Sequence, residues 1–233
     1  MTARRGIGKA TGGGLAGSSE PAPPTRQGRG RPRRDQAGAI ERDLLRHALD
    51  HFLAKGYEGT TLSAITLSLG MSKQTVYNRY PDKHALFIAA LQSAVDDWLA
   101  PIAGLPDCES DDLEATLNAV ARLIVSTLLS PAGLRLIRIT NAESFRMPEI
   151  GRHTYGKGHA MIAVYLRDLF ERRLRAGGHE PEDIDDLVTA FLNLMSGPAR
   201  LNAWGLDAEP IDVAGFVARR VSLFLDGVRG GSR

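Results

Sequence analysis

Between Thr61 and Arg79 the chain sets hydroxyl, amide and cationic side chains at helical spacing with no carboxylate among them. Lys73, Gln74, Thr75, Tyr77, Asn78 and Arg79 would share the outward side of one short helix. All of them can hydrogen-bond phosphates or base edges. Gln74 and Asn78 lie four apart on one helical face, and amides of this kind pair bidentately with adenine. Thr61 and Ser72 stand where hydroxyls cap helices. This is the chemistry of non-covalent nucleic-acid recognition; the other reading, a solvated helix face, asks nothing of the residue types.

A second cationic cluster precedes these residues. Arg29-Gly30-Arg31-Pro32 resembles the core of an AT-hook, an extended arm whose Arg side chains enter a narrow, electronegative A·T-rich minor groove. Arg29, Arg31, Arg33 and Arg34 are therefore expected to add minor-groove or phosphate contacts. The alternative is a solubilising tail.

Catalytic motifs are missing. Gly6-Ile7-Gly8-Lys9-Ala10 lacks the first glycine and the final hydroxyl of a P-loop, and neither Gly-x-Ser-x-Gly nor His-Glu-x-x-His occurs. His47 and His51 are four apart, but no Cys joins them in a recognisable metal-ligand motif, so a solvated face is the expectation. The reading is of a protein without enzymatic activity, cofactor or metal.

The elements that must hold these residues follow from periodicity and punctuation. Ile40, Leu44, Leu45, Ala48, Leu49, Phe52 and Leu53 define an amphipathic helix from about Gln36 to Lys55, stopped by Gly56. Thr60-Thr61 opens a short helix that ends at Gly70, Ser72 caps a third to about Arg79, and Asp82 caps a longer fourth. The two short helices meet at a glycine turn and are pinned by Ile65, Met71 and Val76, the layout of a helix-turn-helix over 61–80. Its second helix must project into a major groove about 12 Å wide. Beyond residue 101, helices are expected near 112–129, 132–144, 149–175, 181–203 and 211–228, separated by Pro- and Gly-containing breaks. No sustained period-two alternation occurs, so the fold class is all-α.

Composition sets the frame. The 233 residues are 43% hydrophobic and 24% charged, with a formal net charge of +2, which excludes collagen-like and disulfide-rich secreted classes. The charge is segregated. Residues 1–35 hold eight Arg or Lys against two acids, net +6, leaving −4 for the rest; divided at Val95 the two parts carry +7 and −5. Residues 1–30 contain eight Gly and three Pro, and a disordered basic tail is expected over 1–35. The single cysteine, Cys108, sits in an acidic stretch that favours the protonated thiol. No apolar run reaches the roughly 18 residues of a membrane span, and the N-terminus lacks a secretory pattern. A cytoplasmic protein with no membrane partner is expected.

The residues Phe52-x-x-x-Gly56-Tyr57-Glu58-x-Thr60-Thr61, Ile65, Gly70-Met71-Ser72-Lys73-x-Thr75-Val76-Tyr77-x-x-Tyr80-Pro81-x-Lys83-x-x-Leu86 are similar to the N-terminal domain of the TetR family of transcriptional regulators. The resemblance covers about Gly38 to Trp98. Thr66 and Leu69 stand where the family usually has Ala, and Tyr80 where it usually has Phe. It implies a three-helix DNA-binding domain over 38–98 followed by a larger helical ligand-binding and dimerisation domain over 101–230. It also implies phosphate contacts from Thr61, Ser72, Tyr77 and Lys83, with base readout from some of Lys73, Gln74, Thr75 and Asn78. Lys83 would add charge to the free N–H groups of a helix start.

For residues beyond 101 the resemblance implies a small-molecule effector held among the helices and a homodimer formed by the last two, about 181–203 and 211–228. Val213, Phe216, Val217, Val221, Phe224 and Val228 recur at three- and four-residue spacings, and with Phe191, Leu194 and Met195 could build a four-helix interface; ordinary core packing would use them equally. The stretch from Ala142 to Arg175 also resembles AefR-like C-terminal domains. Asn118, Asn141, Ser144, His153, Tyr155, His159 and Asn193 could line an effector pocket, walled by Phe145, Met161 and Trp204. The expected function is a repressor on a palindromic double-stranded DNA operator, released by an effector. The alternative is an architectural or division-linked DNA-binding protein with a protein partner.

Overall fold

A computed structural model describes residues 34–174, 181–206 and 211–230. Among them every regular element is helical. α1 (Arg34–Gly59), α2 (Leu62–Ser68), α3 (Lys73–Tyr77) and α4 (Lys83–Leu99) come first; a 3-10 segment (Ala100–Cys108) leads to α5 (Leu113–Leu128) and α6 (Pro131–Glu143). α7 (Pro148–Tyr155) and α8 (Met161–Leu174) are joined by a π-helical turn (Gly156–Ala160), and α9 (Pro181–Ala203) and α10 (Val213–Gly230) follow.

Two glycines set the entry to the short helices. Gly56 adopts φ 72° within α1, kinking the chain where helical periodicity ends, and Gly70 adopts φ 60° between α2 and α3. The hydroxyl of Thr60, itself buried, donates back to the carbonyls of Gly56 at 2.8 Å and His51 at 3.1 Å, satisfying groups freed by the kink. Thr61 caps α2, Ser72 caps α3 and Asp82 caps α4, each accepting the backbone N–H three residues on.

α4 runs through both halves of the core. Its first turns pack Leu86 and Phe87 on α1, with the Phe87 ring 4.7 Å from Phe52 and 4.9 Å from Tyr57. Its last turn carries Trp98, whose indole N–H donates to the Thr127 carbonyl of α5 at 2.8 Å. α4 and the 3-10 segment, Lys83–Cys108, are long and apolar enough to match a membrane span by composition, but their large apolar side chains, Phe87, Leu91, Trp98, Ile102 and Leu105, are core.

Two expectations change and one is refined. The single helix expected over 149–175 is continuous over 148–174 and carries a π turn at Gly156–Ala160, whereas the break expected at Pro101 to Pro106 is a 3-10 continuation. The apolar stripes of the last two helices are internal. Phe191, Met195, Val217 and Val221 are fully buried, and Phe170, Phe191 and Phe224 stack within 6.2 Å of one another, because α10 lies along α5 and α9 against α8. The outward faces keep Ala190, the half-buried Leu194 and Leu201 on α9, and Ala218, Ser222 and Leu223 on α10.

Candidate nucleic-acid interface and the cavity behind it

The turn at Gly70 hands the chain from α2 to α3 through the Met71 N–H, which donates to the Thr66 carbonyl at 3.0 Å. Val76 is fully buried under α3, whereas Lys73, Gln74, Thr75, Tyr77, Asn78 and Arg79 are all exposed. All six residues read as outward-facing therefore lie on open surface, with Tyr77 47% exposed. Gln74 Nε2 donates to Asn78 Oδ1 at 2.8 Å, and the Ser72 and Thr75 hydroxyls hydrogen-bond at 2.8 Å. Thr61, Tyr77 and Lys83 line one shallow groove beside α3, bordered by the carboxylates of Glu58 and Asp82.

Lys83 is more constrained than a free phosphate ligand. Its ammonium donates to the Tyr57 carbonyl at 2.9 Å, sits 4.2 Å from the centre of the Tyr57 ring and lies 3.7 Å from Glu58. It thus joins the end of α1 to the start of α4. The sequence reading missed this use. Tyr80 also has a specific role: its hydroxyl donates to Glu41 at 2.9 Å, and burial together with that carboxylate pushes its pKa up to about 12. His51 meets the Ser68 hydroxyl at 3.0 Å. Arg29, Arg31 and Arg33 lie outside the described residues; Arg34 opens α1, but its side chain is likewise not described.

Behind this surface, α4 to α9 enclose a cavity of about 340 Å³. Trp98, Leu99, Ile102, Ile124, Ile137, Ile162 and Leu192 supply its apolar wall. Of the ten candidate pocket residues, Asn141, Ser144, Tyr155, His159 and Asn193 line it. The other five do not. Phe145 is 98% and Trp204 70% exposed, Met161 also points to open surface, and His153 turns to Asp96 of α4 at 2.9 Å. Asn118 donates to the Glu114 carbonyl of its own helix. Trp98 and Thr140 are the wall residues least visible from sequence, since nothing local marks which side of a buried helix faces a void.

α7 is fastened along α4 at both ends. His84 meets Glu149 at 3.0 Å, and His153 and Lys157 converge on Asp96 at 2.9 and 3.7 Å. The helix that follows the recognition turn thus contributes to the cavity and holds another cavity helix.

A capped, glycine-turned helix pair with an exposed, carboxylate-free second helix, carried on a ligand-sized helical body, defines a helix-turn-helix DNA-binding regulator. Residues 44–90 match the family model described as "Bacterial regulatory proteins, tetR family", and residues 115–226 match "AefR-like transcriptional repressor, C-terminal domain". The chain belongs to the TetR family of transcriptional regulators. It is 36% identical over 154 residues to the HTH-type transcriptional regulator YezE of Bacillus subtilis, covering 64% of this chain and 78% of that one. It is 41% identical to the HTH-type transcriptional regulator RutR of Escherichia coli, over 64 residues that span 28% of this chain and only 30% of RutR. The crystal structure of a TetR-family regulator from Mesorhizobium loti superposes with a TM-score of 0.70 at 25% identity, covering 82% of this chain and 98% of that chain.

Proposed function

We propose that this regulator is a cytoplasmic repressor that binds a palindromic operator as a homodimer and leaves it when a small molecule fills the α4–α9 cavity. The observation that carries the reading is the span of α4. Lys83 at its start borders the DNA-facing groove, and Trp98 and Leu99 at its end wall the cavity, so a shift of that helix is felt at both sites. A ligand need only favour one spacing of the two recognition helices over another; typical couplings of this sort are about 1–3 kcal/mol.

In this reading Gln74 and Asn78, with Lys73 and Thr75, read base edges, while Thr61, Ser72, Tyr77, Arg79 and Lys83 hold phosphates. Arg29, Arg31, Arg33 and Arg34 extend the contact into the flanking groove. Dimerisation uses what the monomer leaves outward on the last two helices, above all Leu194, Leu201 and Leu223. Two half-sites double the contacts that one short helix can make.

The experiment is to measure operator affinity against salt for the full chain and for a chain lacking residues 1–34, then repeat it with candidate effectors. The reading expects a steep salt slope for the full chain, and removing the tail should flatten it by roughly 0.9 for every phosphate that the tail neutralises. It also expects an effector that lowers affinity without dissociating the dimer. A slope unchanged by the deletion removes the tail from the interface.

A further inference from the structure

Resting on the reading of the cavity as the effector site, we propose that it takes an uncharged, compact, largely apolar molecule bearing a hydrogen-bond donor, such as a hydroxyl on a single ring or short chain. Among the described residues the wall contains no Asp, Glu, Lys or Arg. A permanently charged ligand would be taken from water with no counter-charge to meet it. The volume, about 340 Å³, is at the small end for ligand sites and excludes a nucleotide or coenzyme held whole.

The polarity of the wall hydrogen bonds narrows the class further. Thr140 donates its hydroxyl to the Leu136 carbonyl at 2.7 Å, Ser144 donates to the Thr140 carbonyl, and Ser196 donates to the Asn193 carbonyl at 3.3 Å. The Trp98 N–H is likewise committed to Thr127. Each of the three hydroxyls has therefore spent its one proton on the backbone; Thr140 and Ser144 keep lone pairs for whatever fills the space, while Ser196 Oγ also accepts from Arg200 at 3.1 Å. Those wall atoms accept hydrogen bonds. They reward a ligand O–H or N–H; the Thr154 hydroxyl, buried and without a partner, also lines the wall and is free to donate, so the site suits a group that both gives and accepts, such as a hydroxyl, over a carboxylate or phosphate. The donors that remain to Asn141, Asn193, Tyr155 and His159 belong to exposed residues at the rim.

The test titrates four probes of one shape into the DNA-free full-length protein by calorimetry at neutral pH: 4-hexylphenol, its methyl ether 4-hexylanisole, 4-hexylbenzoate and 4-hexylbenzylamine. The phenol is expected to bind, the ether roughly three- to tenfold more weakly for want of one hydrogen bond, and the anion and the ammonium more than roughly tenfold more weakly. Ser144→Ala should shrink the difference between phenol and ether, while Ile124→Trp, which fills the cavity, should abolish phenol binding with helicity retained. Equal or tighter binding of either charged probe overturns the proposal, as does a phenol that fails to bind or that binds regardless of Ile124→Trp. Operator release is scored separately. A phenol that binds but leaves the operator complex intact keeps the ligand class and removes effector release; a charged probe that binds best and releases the operator does the reverse.

Discussion

Gln74 donates its side-chain amide N–H to the side-chain oxygen Oδ1 of Asn78 at 2.8 Å across one turn of α3. The pairing leaves Gln74 Oε1 as an acceptor and Asn78 Nδ2 as a donor on adjacent turns of an exposed face. Adenine offers the complement in the major groove, an N6–H donor beside the N7 acceptor. A pre-formed pair loses less side-chain entropy on binding than two free amides would.

Replacing either amide should therefore relax specificity without unfolding the domain. For Gln74→Ala or Asn78→Ala, discrimination at one operator base pair should fall by about 1–3 kcal/mol, measured by fluorescence anisotropy against single-base variants. The thermal midpoint should hold, because both side chains are exposed and Asn78, the C-cap of α3, caps through its backbone N–H, which alanine keeps.

At Gly133, α6 lies against Trp98 of α4 and the end of α5 with no room for a side chain. A Cβ there would lie 2.5 Å from Trp98 Nε1 and 2.7 and 2.8 Å from the carbonyl oxygens of Thr127 and Leu128. Gly133→Ala should cost about 1–3 kcal/mol as backbone and indole are forced apart. Each kcal/mol should lower the thermal midpoint by roughly 2–4 °C. Differential scanning calorimetry checks this. Altered tryptophan fluorescence would place the disturbance at the cavity wall.

Tyr80 gives the stability a pH limb. Its folded pKa of about 12 lies above the ordinary value of 10.0, so its contribution is whole below pH 10.0 and is lost as pH rises through about 12. The cause is burial first and the Glu41 carboxylate second. Tyr80→Phe should remove one late-titrating phenol from a tyrosinate absorbance titration and soften the loss of stability across that window. The Tyr165 phenol, also pushed up by burial and by Glu109, should remain.

The proposed dimer can be broken without touching the core. Leu223 is 62% exposed on α10, and Leu194 is half-buried on the outer side of α9. Leu194→Glu with Leu223→Glu should convert a dimer to a folded monomer in sedimentation equilibrium, with operator affinity falling at least roughly a hundredfold as the second half-site is given up. A wild-type chain that sediments as a monomer at operator-binding concentrations would contradict the arrangement.

The legible parts of this fold were local. Thr61, Ser72, Asp82, Gly56 and Gly70 announce their roles through capping and positive-φ chemistry, which depend on a few neighbouring residues. The identity of the α3 surface followed from those boundaries. The cavity did not, because a residue's fate there is decided by helices distant in sequence: His153 is drawn to Asp96, 57 positions away, while Phe145 and Trp204, just past the ends of α6 and α9, stay exposed. The same limit applies to α9 and α10. An apolar stripe looks alike whether it meets its own chain or a second copy, and here Phe191, Val217 and Val221 meet their own.

Selection of bound sequences from random double-stranded DNA by the full-length protein tests the central claim most directly. A dimer with the α3 surface in the major groove predicts one enriched palindrome, half-sites about one helical turn apart or a multiple of it, with adenine positions that lose enrichment in Gln74→Ala or Asn78→Ala. Diffuse A·T enrichment with no two-fold symmetry, unchanged by either substitution, would contradict it.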